Sequence, residues 1–193
     1  KQSWEDIQPG ACIGTSSPRR SCQLLALRPD LKPKPLRGNV GSRLKKLQQG
    51  QYDAIILAQA GLERLGNPPP YRSFDLETMI PAGGQGALGL QCLGNNQKII
   101  ELLKPLNHEA SAAAVQAERL LLHLLGGHCH APIAVYAHQV KNQLQLHLCI
   151  GRKQQAVYRD RVSGNPKDLS WLHTFSEKLL QLGAKSWIAE YQL

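Results

Sequence analysis

The 193-residue sequence contains no hydrophobic run close to the ~20 apolar residues that a membrane-spanning helix needs, and no signal-peptide pattern opens it. We therefore expect no membrane association and a cytoplasmic location. The five cysteines are odd in number and include no Cys-x-x-Cys pair, which disfavours a disulfide framework and indicates reduced thiols. Aromatic residues make up 5% of the chain, so few rings are present for stacking on nucleic-acid bases.

Positive charge, by contrast, is plentiful and unevenly placed. The formal net charge is +9, and residues 1–72 hold twelve Lys and Arg against five Asp and Glu, whereas residues 73–193 hold eleven against nine. Such a bias indicates an anionic partner, either nucleic acid or a ligand that carries carboxylates or phosphates. No aromatic residue lies between Arg19 and Lys46, which disfavours nucleic acid.

The first half of the chain alternates strand and helix signals. Ser17 is a good N-cap and Pro18 suits the first helical position, which predicts a helix over residues 18–27. The other predicted elements are strands at 11–14, 35–36 and 52–57 and helices at 42–49 and 59–65. Alternation at this spacing indicates a mostly parallel sheet covered by helices.

The second half has a different order of elements. Residues 80–93 are apolar and glycine-rich without a helical period, which indicates a linker that leads into a strand. The later predictions are a long Ala- and Leu-rich helix at 108–125, strands at 133–140, 143–150 and 156–162, and a helix that begins at Asn165-Pro166 and ends before Gly183. This order indicates a small α+β domain.

The first predicted helix carries Arg19 and Arg20 in its first turn, where the helix dipole favours negative charge. The arrangement makes sense if an anion binds between the backbone N–H groups, the hydroxyls of Thr15, Ser16 and Ser17, and the two guanidinium groups. Further arginines near predicted strand or helix ends are Arg37, Arg43 and Arg64.

Cys129 lies in a Gly-Gly-His-Cys-His stretch between the long helix and the next strand. The residues alone leave two interpretations open: a small packing residue, or a zinc ligand together with His123, His128 and His130. The histidine spacing matches no usual zinc pattern, so we predict no metal site.

Seven motifs follow one another along the chain: Gly14-Thr15-Ser16-Ser17-Pro18-Arg19-Arg20, Arg37-Gly38-Asn39-Val40-Gly41-Ser42-Arg43, Tyr52-Asp53-Ala54-Ile55-Ile56-Leu57, Ala60-Gly61-Leu62-Glu63-Arg64-Leu65, Gly84-Gln85-Gly86-Ala87-Leu88, Ala117-Glu118-Arg119 and Gly126-Gly127-His128-Cys129-His130-Ala131-Pro132-Ile133. In this order they resemble the C-terminal two-thirds of the porphobilinogen deaminase (hydroxymethylbilane synthase) family. The resemblance extends from about Gly10 to the C-terminus.

The resemblance implies a fold class and a domain organisation. Residues 1–80 are expected to form a periplasmic-binding-protein-like α/β domain that binds cofactor and substrate. Residues 107–193 are expected to form a small α+β domain with a three-stranded antiparallel sheet, and this domain carries Cys129. Residues 81–106 are expected to form a crossover segment that belongs to the sheet of an N-terminal domain absent from this chain.

The family joins four porphobilinogen molecules head to tail, with release of ammonia, into a linear tetrapyrrole that grows on a dipyrromethane primer. The resemblance places the thioether to this cofactor on Cys129, and a soft thiolate suits attack on the electrophilic methylene carbon left when the amine departs. It also implies a monomeric enzyme whose ligands are porphobilinogen and the growing polypyrrole, with no nucleic acid or membrane as partner. The matching cofactor-binding positions are Thr15, Ser16, Ser17, Arg19, Arg20, Arg37, Asn39, Arg43 and Arg64.

Three departures from the family pattern bear on function. His128 stands directly before Cys129 where the family has glycine, and Gly83 replaces a larger residue, which should loosen its segment. The N-terminal domain that supplies the family's catalytic aspartate is expected to lie outside the 193 residues, and Asp53 matches a different motif. We therefore predict no catalytic residue here and no turnover by this chain alone. The alternatives are a non-catalytic anion-binding α/β module and, less strongly, a nucleic-acid binder.

Overall fold

The computed structural model describes residues 6–128, 130–152 and 156–191. Its strands are β1 (Cys12–Gly14), β2 (Lys32–Lys34), β3 (Ala54–Ile55), β4 (Ile133–Val140), β5 (Gln143–Gly151) and β6 (Val157–Gly164). Its helices are α1 (Pro18–Leu27), α2 (Val40–Gln48), α3 (Gln59–Glu63), α4 (Gln97–Leu103), α5 (Glu109–Leu124), α6 (Trp171–Gln181) and α7 (Ala184–Glu190), and a 3₁₀ helix, Lys104–Leu106, follows α4. Within these ranges no helix has the length and apolar character needed to cross a membrane.

A three-stranded parallel sheet forms the first unit, which confirms the predicted parallel arrangement. The strand order is β2-β1-β3, and Ile13 of β1 lies opposite Pro33 of β2 and Ala54 of β3. The core of this unit consists of Ala11, Ile13, Leu24, Leu31, Ile56 and Met79. The carboxyl ends of the three strands meet at one edge, which is where open α/β sheets bind ligands.

The bounds of α1 agree with the prediction, whereas those of β2 do not. Ser17 has extended backbone angles and Pro18 occupies the first helical position, so the start of α1 is set locally. The strand predicted at residues 35–36 is wrong in position, because the strand lies at residues 32–34. β1 ends at Gly14 and provides no pairing partner beyond Lys34. β2 therefore ends at Lys34, and the buried Leu36 follows it.

The stretch between the two units contains no strand in residues 81–96, so the strand expected to follow the linker is not formed in this chain by itself. Gly84 and Gly86 have φ values of 71° and 90°, and the chain turns there. Leu88 and Leu90 are 80% and 61% exposed and have no ladder partner among the described strands. A strand needs such a partner, and sequence pattern cannot show whether one is present.

The second unit is an antiparallel sheet of order β4-β5-β6 covered on one face by α5 and α6. This confirms the predicted three-stranded sheet, and α5 confirms the long helix. Side chains at alternate positions of β5 are at most 1% exposed and fill the core: Leu144, Leu146, Leu148 and Ile150. The final helix begins at Trp171, later than predicted, and α7 after Gly183 was not predicted.

The two units pack together through α1 and β5. Gln23 of α1 is fully buried, and its side-chain amide donates to the carbonyl of Ile80 at 2.9 Å and accepts from the Ile80 N–H at 2.8 Å. Arg159 of β6 donates to the Gln23 side-chain oxygen at 3.3 Å and to the carbonyls of Glu77 and Thr78 at 2.7 and 2.9 Å. These bonds join the helix that carries the arginine pair to the antiparallel unit.

Candidate functional site

A cleft of about 930 Å³ opens beside the first turn of α1. Its polar wall includes Ser17, Arg19 and Arg20, and its apolar wall includes Ile56 and Phe74. This size is typical of sites for small organic ligands. The cleft therefore joins positive charge and apolar surface in one concave site.

Arg20 is a cation of the cleft wall that a backbone carbonyl holds in place. Its Nη1 donates to the carbonyl of Ile56, directly after β3, at 3.0 Å. Burial lowers the pKa of Arg20, and the positive charges of Arg19 and Arg43 lower it further. Arg43 is itself oriented by a 2.7 Å bond from its Nε to the carbonyl of Gly38. Two guanidinium groups thus line the cleft, and the charge of Arg43 acts on one of them; an anion bound there would stabilise all three.

Asp53 is the acidic side chain among the described residues that line this cleft. Its Oδ2 accepts a 2.7 Å hydrogen bond from the backbone N–H of Cys12 at the start of β1. The carboxylate thereby holds β1 and β3 together at their amino ends. This contact supports a structural role for Asp53.

Two of the three hydroxyls expected to bind an anion take part in the fold. The Ser16 hydroxyl donates to the Leu36 carbonyl at 3.1 Å and accepts from the Leu36 N–H at 2.9 Å, which joins the chain after β1 to the chain after β2. Thr15 is buried, and its Oγ1 accepts from the N–H of Ser17 at 3.2 Å. The Ser17 hydroxyl makes no capping bond to α1, and Ser17 is the member of the three that lines the cleft.

The other predicted positions lie outside the lining of the cleft. Asn39 is the N-cap of α2, where its Oδ1 accepts from the N–H of Ser42 at 2.8 Å. Arg37 is exposed, and its carbonyl accepts from the Nζ of Lys46 at 3.1 Å. Arg64 is exposed directly after α3. Of the predicted positions, Ser17, Arg19 and Arg20 therefore line the cleft, whereas Arg37, Asn39, Arg43 and Arg64 do not.

Residues 81–85 form a further part of the cleft wall and connect it to the second unit. Glu118 of α5 is buried, and its two carboxylate oxygens accept from the N–H of Gly84 at 2.6 Å and the N–H of Ala137 in β4 at 2.7 Å. Burial raises the pKa of Glu118, and these two N–H groups oppose that rise. One carboxylate thus fixes the cleft wall against both α5 and β4.

Gly83 lies in the same segment, next to the cleft-lining Ala82, and is closely packed. A Cβ at this position would lie 2.7 Å from the Cδ1 of Leu122 and 2.9 Å from the Cγ1 of Val135. The absence of a side chain lets the backbone approach α5 and β4. The loosening expected from Gly83 is not found at this residue.

Cys129 lies outside the described residues. On either side of it, the N–H of His130 donates to the Nδ1 of His128 at 3.3 Å and the N–H of Ala131 donates to the His128 carbonyl at 2.9 Å. Within residues 6–128, 130–152 and 156–191 no group of three Asp, Glu, His or Cys side chains is placed to hold a metal ion.

Sequence reasoning assigned no role to the three polar side chains that join the units, although Glu118 belongs to the Ala117-Glu118-Arg119 motif: Gln23, Glu118 and Arg159. A charged residue within an Ala- and Leu-rich helix was the available signal for Glu118. Gln23 and Arg159 gave no signal in the sequence, because their partners are distant along the chain. Gln23 bonds to Ile80, 57 residues away, and to Arg159, 136 residues away.

Comparisons with known proteins agree on one family. The protein-family model described as "Porphobilinogen deaminase, dipyromethane cofactor binding domain" matches residues 1–101. The protein-family model described as "Porphobilinogen deaminase, C-terminal domain" matches residues 112–170. The chain is 43% identical to a porphobilinogen deaminase of Thiobacillus denitrificans over 184 residues, which cover 94% of this chain and 60% of that protein. It is 41% identical to a porphobilinogen deaminase of Roseiflexus sp. over 185 residues, which cover 95% of this chain and 61% of that protein. The chain thus spans about 60% of the length of these curated relatives.

Proposed function

Because this chain belongs to the porphobilinogen deaminase family, we propose that it provides the cofactor cleft and the cofactor-bearing cysteine of a hydroxymethylbilane synthase. That enzyme condenses four porphobilinogen molecules head to tail, with release of ammonia, on a cysteine-bound dipyrromethane primer. The observation that carries the proposal is the pair Arg19 and Arg20 in the wall of the cleft, with Arg20 held in place by its bond to the Ile56 carbonyl.

The chemistry of the ligand fits these cations. Each pyrrole ring carries an acetate and a propionate, so a two-ring primer has four carboxylates and each added ring brings two more. Arginine forks bind carboxylates with two parallel hydrogen bonds and keep their charge when they lose water. Arg20 lacks a carboxylate partner among the described residues, and burial lowers its pKa, so a bound carboxylate would relieve its unfavourable position. The apolar wall at Ile56 and Phe74 suits the faces of the rings.

Cys129 is the proposed point of attachment through a thioether. When bound, the dipyrromethane supplies the ring to which the first porphobilinogen is joined. Residues 81–85 support the joint use of the two units, because Gln85 lines the cleft while Gly83 and Gly84 contact the unit that carries Cys129. In this proposal the arginines bind and orient the carboxylates, and Glu118 keeps the cleft wall in place.

The finer domain organisation is also part of the proposal. The first unit is a periplasmic-binding-protein-like domain, and residues 81–106 cross over to the sheet of a further domain. The exposed leucines of this segment support the crossover, because they present apolar surface that no described element covers: Leu88, Leu90, Leu93, Leu102 and Leu106. A cytoplasmic location and a monomeric state remain part of the same proposal.

The covalent cofactor is tested by intact-mass spectrometry of the chain produced in cells that make porphobilinogen. We expect a two-pyrrole adduct that is absent from Cys129→Ser and present in the control Cys92→Ser. An adduct that persists in Cys129→Ser would refute the attachment site. An unmodified chain that still binds porphobilinogen would instead support the non-catalytic anion-binding module.

Catalysis is tested separately by following porphobilinogen consumption. We propose that the 193 residues by themselves show no turnover, since the family's catalytic aspartate has no counterpart in them. Steady consumption of porphobilinogen by the isolated chain, lost in Arg20→Met, would contradict this part of the proposal.

A further inference from the structure

A third cation lines the cleft, on the part of its wall that follows α3. Among the described residues of the lining, the cations are Arg19 and Arg20 of α1 and Arg72, which belongs to residues 69–74. All six residues of this segment line the cleft, and Arg72 itself is exposed. The seven motifs of the family resemblance do not include Arg72. The cleft therefore receives positive charge from two separate parts of the chain.

The segment is anchored to α3 on both sides of its arginine. The Tyr71 hydroxyl donates to Oε1 of Glu63 at 3.0 Å, and the Ser73 hydroxyl donates to Oε1 of Gln59 at 2.8 Å. The Gln59 side-chain amide in turn donates to Oε1 of Glu63 at 2.7 Å. Residues 68–70 are all proline, whose ring fixes the φ angle. The backbone that carries the arginine is thus held in one place.

The chain after β3 supports both cationic parts of the wall. Nη1 of Arg20 donates to the carbonyl of Ile56, directly after β3, at 3.0 Å. α3 begins at Gln59, three residues later, and holds the segment that contains Arg72. Residues 56–63 therefore bring the two arginines to one cleft before any ligand binds. A site that is ordered in advance loses less conformational entropy on binding.

The proposed ligand carries more carboxylates than the two arginines of α1 can bind. Each guanidinium fork binds one carboxylate with two parallel hydrogen bonds. A two-ring primer has four carboxylates and each added ring brings two more, whereas Arg19 and Arg20 are neighbours on one helical turn. Pro70 and Phe74 add apolar lining on the segment of Arg72, which suits a flat ring with acid arms at its edge.

We propose that Arg72 is a further carboxylate-binding residue of the cleft and takes a different carboxylate from the one that Arg20 binds. This inference rests on the proposed function, because it concerns the same cleft and the same ligand. It extends the binding positions to the segment after α3. A planar fork on an anchored segment fixes the direction of the carboxylate as well as neutralising it, so lysine should be a poor replacement.

The test is calorimetric titration of porphobilinogen into the full chain that carries Cys129→Ser, so that no covalent cofactor fills the cleft. In this background Arg72→Met should weaken binding about tenfold, because one charge-assisted pair is lost. Arg72→Lys should recover only part of that loss. Arg161→Met, at an exposed position of β6 outside the cleft lining, is the matched control and should bind as the background chain does. Since Arg72 is exposed, its removal should leave the melting temperature unchanged.

Two pyrroles that each carry a methyl group in place of one acid arm separate direct binding from an effect on the fold. Arg72→Met should weaken binding of one of these pyrroles and leave the other unchanged, and Arg20→Met should show the opposite pattern. Unchanged affinity for porphobilinogen in Arg72→Met, or an equal loss for both pyrroles, would overturn the role of Arg72 and leave that of Arg20 intact. A background chain that binds no porphobilinogen would instead refute the cofactor cleft, and this inference with it.

Discussion

Arg20 shows how a single residue can be retained for binding at a cost to the fold. Its guanidinium is partly desolvated and faces two other cations, and both conditions disfavour its charge. The bond to the Ile56 carbonyl fixes its direction but supplies no negative charge. Such a group is stabilised only when an anion binds, so affinity and stability should respond to its removal in opposite ways.

Arg20→Met should therefore weaken binding of porphobilinogen by about tenfold or more, since it removes charge-assisted bonds to a carboxylate. The melting temperature of the free chain should stay the same or rise. Calorimetric titration and thermal unfolding measure the two effects. Lys45→Met is the matched control, because it removes an exposed charge on α2. Equal losses of affinity in both variants would show that net charge, and not the site, governs binding.

His147 makes stability depend on pH. Its ring stacks on that of His138 at 5.4 Å. Burial, and then the positive charges of His138 and Arg161, lower the pKa of His147, with Glu77 opposing them. In the unfolded chain a histidine titrates near pH ~6.5. Because the folded pKa is lower, the unfolded chain binds more protons as the pH falls through this range, and the free energy of unfolding decreases.

Urea unfolding at about pH 7.5 and about pH 5.5, on either side of the histidine pKa, should show this loss of stability on acidification. His147→Gln should reduce the difference between the two pH values. His173→Gln, at an exposed position of α6, should leave the difference unchanged. A pH dependence that is the same in all three proteins would contradict the role given to His147.

Glu118 provides hydrogen-bond acceptors at the open edge of the antiparallel sheet. β4 is an edge strand, so some of its backbone N–H groups point away from the sheet. The N–H of Val135 donates to the carbonyl of Pro81 at 3.1 Å, and the N–H of Ala137 donates to the Glu118 carboxylate at 2.7 Å. The carboxylate also accepts from Gly84. The edge of the sheet is thereby closed by the cleft wall and not by another strand.

Glu118→Gln should lower the free energy of unfolding by about 1–3 kcal/mol, because an amide NH₂ then faces one of the two backbone N–H groups and leaves it unpaired. Chemical denaturation measures this loss. Hydrogen exchange should show faster exchange at Gly84 or Ala137. Glu109→Gln, at an exposed position of the same helix, is the control. A loss of stability as large in Glu109→Gln would argue against the edge-closing role.

The elements that sequence predicts well are those whose signals are local. Ser17 and Pro18 mark the start of α1, and the alternating leucines of β5 mark the face that packs under α5 and α6, although residues 146–151 are buried on both faces. β2 is displaced from its predicted place because its length depends on β1, a partner about twenty residues away. The strand expected after the linker requires a neighbouring strand, and no run of apolar residues reveals whether one is present.

The residues of the candidate site also differ in whether a local sequence signal predicts their role. Arg19 and Arg20 are predictable because their position in a helix's first turn is unusual by itself. The bonds between Ser16 and Leu36 and the capping role of Asn39 are not predictable, because the same residue types suit both an anion site and a loop whose side chains bond to its own backbone. Gln23 and Arg159 are visible only once the chain is folded, since each acts through a distant partner.

The whole molecule shows an apolar surface along residues 86–106 that its own core does not use. Leu88 and Leu93 are 80% and 73% exposed, and Leu106 is 66% exposed. Several large apolar side chains exposed within one segment are typical of a site of contact in a folded protein. The chain also spans about 60% of its relatives' length, and a crossover to a further domain would cover this segment.

The isolated chain should therefore bind an apolar dye such as anilinonaphthalene sulfonate and self-associate as its concentration rises, because uncovered leucines gain about 1.5–3 kcal/mol each on burial. Leu88→Gln with Leu93→Gln should reduce dye fluorescence and association without lowering stability, since neither side chain packs in either core. Leu182→Gln, at an exposed position after α6, serves as the control for simple loss of a surface leucine. If the control reduced association as much as the double variant, the contact surface would lie elsewhere, and the crossover proposed for residues 81–106 would lose its support.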